Sequence, residues 1–282
     1  MNKIKMYHAE LPNMGDLLNV LLMEEYFKFP MERKTPLTAE LSGIGSGLGQ
    51  FTVDKNNLPL AIVKQIFGKM YPTVHIWGTG FIEDKDWGPF YRKKMVFHAL
   101  RGKLTKQKVE KILGHEVDIP LGDGGILAPY LVESGIEQQK RYRVGIIPHF
   151  KEQDHPIFQE LINQFPDSKL IDLKEEPHQV IREIAQCEVV ISSSLHGLIV
   201  ADAFYVPNIH IVVTDNLLGD GFKFDDYYSA YDLAHHSINV LDEGIDWLTE
   251  AFIKQEYRVT RTMVDQAKQR MSDAFPYKRW EV

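Results

Sequence analysis

The chain has 282 residues, of which 44% are hydrophobic and 25% are charged, the composition of an ordinary soluble protein. This length exceeds what one hydrophobic core usually organises, so we expect two lobes of roughly 130 residues each. The net charge of −7 disfavours a broad nucleic-acid surface, because such a surface must be basic, but it leaves room for a local cationic pocket that binds a small anion.

Two features of the sequence indicate a reducing compartment. The single cysteine, Cys187, excludes an internal disulfide, and its place at the start of an apolar strand favours a buried structural thiol. The N-terminus lacks the apolar core of a secretory signal, and no run approaches ~18 apolar residues. We therefore expect a cytoplasmic protein, with peripheral contact at the inner face of the membrane left open.

Short apolar runs alternate with helical patterns along almost the whole chain, which predicts βα units and parallel sheets. The predicted strands are 3–10, 74–80, 95–102, 141–150, 168–174, 188–194 and 207–213. The predicted helices are 16–27, 103–114, 155–165, 176–187 and 195–205, followed by a helical tail from residue 243. A polar stretch at 133–142 marks the predicted boundary, giving one lobe at 1–138, a second at 139–245 and a tail at 246–282.

The stretch SSSLHG, residues 192–197, lies where a predicted strand meets a predicted helix. Ser193 or Ser194 is placed to cap the helix, whose N-terminal N–H groups and dipole suit a phosphate or a carboxylate. His196 in the first turn can carry a proton near neutral pH. A capped helix with a structural histidine is the alternative interpretation.

Other polar residues also follow predicted strands, where open parallel sheets bind their ligands. His149 follows the strand at 141–150, and Arg101 could hold an anion in bidentate fashion or form a surface ion pair. Asp16, in a loop with Asn13, either caps the next helix or accepts a hydrogen bond from a sugar hydroxyl. The glycine-rich stretch at 41–50 matches neither a dinucleotide-binding loop nor a Walker loop, so it is a weak signal.

Two aromatic stretches, 77–92 and 222–232, are interpreted as loops. Trp77, Trp87 and Tyr91 suit the faces of sugar rings, although aromatics that pin a loop are as common. Lys223 in the second stretch could serve a ligand or packing. The histidines at 235 and 236 lack the ligand spacing of a metal site, so no metal is expected.

Several of these stretches, in chain order, resemble the polysaccharide pyruvyl transferase family. They are NMGDLLN, GTGFI, ALRGKLT, LGDGGILAP, GIIPHF, the long stretch 172–209 around SSSLHG, and FKFDDYYSAY. The family commonly shows Gly-Asp-Pro where this chain has Gly122-Asp123-Gly124, a departure that bears on loop stiffness.

The resemblance implies a two-lobed fold like that of GT-B glycosyltransferases, with the active site in the cleft between Rossmann-like lobes. It also implies transfer of a pyruvyl group from phosphoenolpyruvate to a hexose of a polysaccharide or its precursor, free or lipid-linked, as a cyclic ketal. Phosphoenolpyruvate is then a co-substrate, and no cofactor is expected. The family's Leu-His pair falls on Leu195 and His196, its loop aspartate on Asp16 and its arginine on Arg101.

These assignments give a mechanistic hypothesis for the donor and the acceptor. Ser193, Ser194, Leu195 and Gly197 of the second lobe hold one anionic group of the donor, and Lys223 of the second lobe with Arg101 of the first holds the other. His196 or His149 protonates the donor's methylene carbon, and Asp16 accepts or orients a sugar hydroxyl. The first lobe binds the acceptor through Asn13, Trp77, Trp87 and Tyr91.

Two other functions remain compatible with the same residues. One is a nucleotide-sugar glycosyltransferase of GT-B type, and the other is a sugar-binding relative without activity. A P-loop or dinucleotide-binding enzyme is disfavoured because both glycine motifs are missing.

Overall fold

A computed structural model of the protein describes residues 3–10, 13–53, 66–68, 70–214 and 221–280. Within these residues the chain forms two five-stranded sheets, and all the strand pairs in both sheets are parallel. The predicted α/β class, with two lobes facing a cleft, is confirmed.

The first sheet is built from the strands of the N-terminal lobe. Its strands are β1 (Ile4–Tyr7), β2 (Met31–Arg33), β3 (Leu41–Ser42), β4 (Val74–Trp77) and β5 (Met95–Ala99). The order across the sheet is β2-β1-β3-β4-β5. Helices α1 (Met14–Leu21) and α2 (Lys103–Leu113) flank this sheet, and α1 continues as a π-helical turn at Leu22–Tyr26. Helix α2 ends at Gly114, whose φ of +77° is the left-handed conformation that glycine adopts freely.

The second sheet repeats the same arrangement. Its strands are β6 (Tyr142–Ile147), β7 (Ser168–Leu170), β8 (Cys187–Ser192), β9 (Asn208–Val212) and β10 (Ser237–Asn239), in the order β10-β9-β8-β6-β7. Its helices are α3 (Ile157–Gln164), α4 (Pro177–Ala185), α5 (Leu195–Ala203), α6 (Phe222–Ser229) and α7 (Val240–Glu243). In each sheet the chain therefore reverses direction across the sheet at one point, between β1 and β3 and between β6 and β8.

Helix α5 lies at the centre of the molecule. It is apolar on all sides, and eight of its nine residues are buried, which is the pattern of a helix enclosed on every face. It packs against a 3₁₀ segment, Gly124–Leu131, of the first lobe, so one hydrophobic core runs between the lobes. Helix α5, which carries His196 in its first turn, is thereby held against the first lobe.

The C-terminal tail contains α8 (Glu250–Glu256) and α9 (Arg261–Asp273). Helix α8 packs on the second sheet, whereas α9 returns to the first lobe, where Trp77 Nε1 donates to the carbonyl of Met271 at 2.9 Å. Phe275 stacks on Phe27 with ring centroids 3.7 Å apart. The tail thus joins the two lobes on the side where the chain ends.

The structure contains short strands and a helix that the sequence did not predict. Strands β2, β3 and β10 are too short to show a pattern, and they were not predicted. The aromatic stretch expected to be a loop at 222–232 forms α6, because its buried face packs against α2. Cys187 is buried as expected, and burial raises the pKa of its thiol to about 12. In the described part of the chain, no helix combines the length and apolarity needed to span a bilayer.

Candidate active site

A cleft of about 390 Å³ lies between the lobes, at the carboxyl ends of both sheets. Its walls come from the loops after β1, β3, β6 and β8, which are the strands at the two reversal points. Doubly wound sheets bind ligands at such points, because the loops there diverge and open a crevice. The predicted residues that line it are Asn13, Asp16, His149, Ser194, Leu195, His196 and Lys223.

His196 occupies the first turn of α5 and faces the cleft with 17% of its side chain exposed. Its Nδ1 lies against Gly15 at the start of α1, where an added Cβ would collide with the imidazole. Its pKa is lowered to about 3, chiefly by burial and then by the positive charges of Lys223 and Arg101. The imidazole is therefore neutral in the free protein, and an anion in the cleft would raise its pKa.

Asp123 lies behind His196, and the sequence prediction did not include it as a site residue. Its carboxylate is buried, with Oδ1 4.0 Å from Nε2 of His196 and accepting a hydrogen bond from Gly125 N at 2.9 Å. Burial raises the pKa of Asp123 to about 6, although the N–H of Gly125 and the charge of Arg101 lower it in part. The departure from Gly-Asp-Pro marks this loop in the sequence. Residue spacing alone, however, does not show that Asp123 lies beside a histidine 73 positions away.

The three serines before α5 do not cap it as predicted. Ser194 has the extended conformation of an N-cap residue, but its side chain makes no capping hydrogen bond within the described residues. Ser192 Oγ instead accepts from Ser194 N at 2.9 Å, and Ser193 Oγ accepts from His149 N at 2.8 Å. The serines therefore join the ends of β6 and β8 and leave the N-terminal turn of α5 open to a ligand. Gly197 is buried beside Ser192, and a larger residue would not fit there because an added Cβ would collide with Ser192 Oγ.

His149 lines the cleft close to Lys223 and Lys151. Its pKa is lowered to about 3, chiefly by burial and then by the charges of these two lysines. The two predicted histidines are therefore brought to one site, and both are neutral there.

Lys223 reaches the cleft from α6 and is only partly exposed. Burial and the charge of Arg101 lower its pKa to about 8, while Glu152 opposes this shift. Among the described residues it forms no ion pair, so its ammonium group is available to an anion. Helix α6 is fixed to the first lobe by Asp226, which accepts from Thr105 N at 2.7 Å at the start of α2.

Arg101 differs from its prediction as a donor ligand. Its side chain is fully buried, and Nε donates to Asp226 Oδ2 at 2.8 Å. Its remaining donors go to Ser46 Oγ at 2.6 Å and to the carbonyl of Phe81 at 2.5 Å. Each nitrogen of the guanidinium group thus has a protein acceptor, and the group affects the cleft through its charge and through Ser46, a lining residue.

The first-lobe wall contains a carboxylate beside an amide. Asn13 Nδ2 donates to Asp16 Oδ2 at 2.5 Å, and Asn13 Oδ1 caps α1 by accepting from Asp16 N at 3.2 Å. Burial raises the pKa of Asp16 to about 6, so this carboxylate is mostly ionised at pH 7 and can still accept a proton. Asn13 therefore provides the cap, and the carboxylate of Asp16 is free to face the cleft.

The glycine-rich stretch that gave a weak signal also lines the cleft, through Gly45, Ser46 and Gly47. Gly45 has a φ of +104°, a conformation that other residues rarely adopt. The stretch matches no phosphate-binding motif, so its sequence carries only a weak signal. Its position directly after β3 is what places it in the cleft.

The three aromatic residues predicted to bind the acceptor lie outside the cleft. Trp77 and Tyr91 are buried in the first lobe. Trp87 stacks on Phe81 with centroids 4.9 Å apart and lines a separate groove beside α2. Their rings pack within the first lobe. Aromatic residues that pack in this way and aromatic residues that bind sugars have the same local sequence pattern, so the sequence could not distinguish them.

A model of a known protein family matches the chain. The model of the family described as polysaccharide pyruvyl transferase matches residues 43–216, well over half of the chain. The chain belongs to the polysaccharide pyruvyl transferase family. The matched region contains the glycine-rich stretch, Asp123, His149 and His196, that is, most of the cleft.

Two curated relatives were found. The succinoglycan biosynthesis protein ExoV of Rhizobium meliloti (strain 1021) is 27% identical over 253 residues, which cover 88% of this chain and 70% of ExoV. The uncharacterized protein L143 of Acanthamoeba polyphaga mimivirus is 28% identical over 138 residues, 48% of this chain, and the match spans about half (47%) of the viral protein. A solved structure of an uncharacterized protein from Klebsiella pneumoniae subsp. pneumoniae NTUH-K2044 aligns with 83% of this chain and 92% of its own, at 13% identity and a TM-score of 0.48.

Proposed function

We propose that the protein transfers a pyruvyl group from phosphoenolpyruvate to a hexose of a polysaccharide or its precursor and forms a cyclic ketal. The observation that carries this proposal is the half-buried ammonium of Lys223, which has no ion-pair partner among the described residues and lies beside two neutral histidines. A cation in this state costs solvation energy that an anionic ligand would return. Phosphoenolpyruvate carries two anionic groups, a phosphate and a carboxylate.

We assign the donor to the second-lobe wall. One anionic group lies at the open N-terminal turn of α5, and the other pairs with Lys223. Arg101 contributes at a distance, because it is fully buried and paired with Asp226. This assignment replaces the predicted direct contact of Arg101.

The bound anion makes His196 an acid. Its negative charge opposes the charges of Lys223 and Arg101 and raises the pKa of the imidazole, which takes up a proton. The imidazolium then gives its proton to the methylene carbon of phosphoenolpyruvate, and the central carbon becomes electrophilic. His149 lines the same cleft, so the bound anion favours a protonated imidazole there as well.

The acceptor approaches from the first-lobe wall, where Asp16 faces the donor. One sugar hydroxyl bonds to the central carbon and passes its proton to the Asp16 carboxylate. A second hydroxyl of the same sugar then attacks that carbon, the bond to the phosphate oxygen breaks, and His196 recovers a proton from this hydroxyl. The leaving phosphate carries away the proton held by Asp16, so the enzyme returns to its starting state.

The test is incubation of the protein with phosphoenolpyruvate and a panel of hexosides, free and lipid-linked, with mass spectrometry of the products. We expect a product heavier by one pyruvate minus one water, with release of inorganic phosphate. His196→Ala should abolish this product while its thermal melting curve stays cooperative. Release of a nucleoside diphosphate from a nucleotide sugar, without ketal formation, would instead show a glycosyltransferase and overturn the proposal.

A further inference from the structure

Asp123 and His196 come from different lobes and face each other across the interface. Asp123 precedes the 3₁₀ segment of the first lobe, and His196 opens α5 of the second. Their nearest polar atoms, Oδ1 and Nε2, are 4.0 Å apart, about 1 Å longer than a hydrogen bond.

Both groups have a buried atom without a partner. Among the described residues, Nε2 of His196 and Oδ2 of Asp123 are buried and have no partner in good hydrogen-bonding geometry, although the N–H of Gly45 lies near enough to the Asp123 carboxylate to lower its pKa. Unpartnered buried polar atoms are uncommon, because each loses its contact with water and gains nothing in exchange. Two such atoms on neighbouring side chains indicate a contact that forms in another state of the protein.

The charged groups around His196 and Asp123 limit which residues can make that contact. The charged groups that face His196 are Lys223, Arg101 and His149, all cationic or basic, so Asp123 is the acidic group next to its ring. Asp123 itself faces the N–H groups of Gly125 and Gly45, together with the opposing charges of Arg101 and Asp226. Oδ1 is thereby fixed in place by the backbone.

We infer that Asp123 is the positioning residue of His196: when the donor is bound and the imidazole takes up a proton, a side-chain shift of about 1 Å lets the Asp123 carboxylate accept the Nε2–H of the imidazole. The inference rests on the proposed function. It assigns the transferred proton to Nδ1, the nitrogen next to Gly15, whose neighbour Asp16 lines the cleft. A carboxylate behind a histidine fixes the tautomer and stabilises the imidazolium, which is what the proposed acid requires.

The test is Asp123→Asn, because asparagine keeps the shape and the acceptor for Gly125 N but presents an N–H or a neutral oxygen to His196. We expect kcat for pyruvyl transfer to fall by about 10²–10⁴-fold, with little change in the KM for phosphoenolpyruvate. The pH dependence of kcat assigned to His196 should shift to lower pH. The double variant, Asp123→Asn with His196→Ala, should have a rate of pyruvyl transfer no lower than that of His196→Ala alone.

Asp202→Asn is the matched control. Asp202 is also buried with a pKa raised to about 6, but it accepts from Asn208, Tyr227 and Tyr257, and it does not line the cleft. It should lower the melting temperature and leave the pH profile of kcat unchanged. If Asp123→Asn behaves in the same way, Asp123 is a structural residue and the inference is wrong.

A second measurement separates this inference from the proposed function. The ¹⁵N resonances of the His196 imidazole, recorded with saturating inorganic phosphate, should show a protonated Nε2 in the wild-type protein and a loss of that proton in Asp123→Asn. Identical spectra would overturn the role of Asp123. A wild-type protein that forms no ketal but shows the expected spectra would overturn the reaction and leave the dyad standing.

Discussion

Lys223 and Arg101 lie near the same cleft and carry the same charge, yet of the two only Arg101 is paired with an acidic side chain among the described residues. Arg101 is fully buried and bound to Asp226, Ser46 and Phe81. Lys223 is partly exposed and forms no ion pair in the described part of the chain. A cation that is already neutralised by protein holds the fold together, whereas one that is left unpaired is available to a substrate. The availability of a charge, and not its presence, is therefore what supports Lys223 as the proposed ligand of the donor.

The largest expected effect follows from breaking the Arg101 ion pair. Arg101→Met leaves Asp226 buried without its partner, and this should lower the free energy of unfolding by about 3–5 kcal/mol. Urea denaturation followed by circular dichroism measures it. The matched control is Arg182→Met, which removes an exposed pair with Glu133 and should hardly move the midpoint. Equal midpoints for the two variants would mean that the buried pair contributes nothing to stability.

The next effect follows from removing the available charge. Lys223→Met should lower kcat/KM for phosphoenolpyruvate by about 10²-fold, the effect of one charge-assisted contact of about 3 kcal/mol, and should leave the unfolding midpoint close to that of the wild type. Steady-state phosphate release measures the rate. Lys151→Met, at an exposed neighbouring position, is the control and should retain wild-type kinetics. A loss shared by both variants would point to the general field of the loop rather than to Lys223.

The smallest effect is a pH dependence that distinguishes lysine from arginine. The pKa of Lys223 is lowered to about 8, so the free protein loses this positive charge as the pH rises through that value. The Kd for phosphoenolpyruvate should therefore increase above pH 8, by up to about tenfold per pH unit, because an unprotonated amine does not attract the anion. Titration calorimetry from pH 7 to 9.5 measures this slope. Lys223→Arg keeps its charge throughout, and a slope as steep as that of the wild type in this variant would contradict the assignment.

The sequence by itself determined the class of the fold and much of the cleft. The alternation of apolar runs and helical patterns predicted parallel α/β lobes, since each pattern reflects local burial that repeats along the chain. His149, His196 and Asp16 were found because each follows a strand, and the edge at which parallel strands end is where ligands bind. These inferences needed only neighbouring residues.

Tertiary structure decided which of these residues share a site and which are neutralised. Strand order, β2-β1-β3-β4-β5 and its counterpart in the second sheet, brings the loops after β1, β3, β6 and β8 together, and no local pattern encodes that order. Asp123 reaches His196, and Asp226 reaches Arg101, across 73 and 125 positions. The partner of a charge, like the burial of Trp77, depends on which distant segment packs against it, so the chemical role of a side chain was fixed only when the two lobes came together.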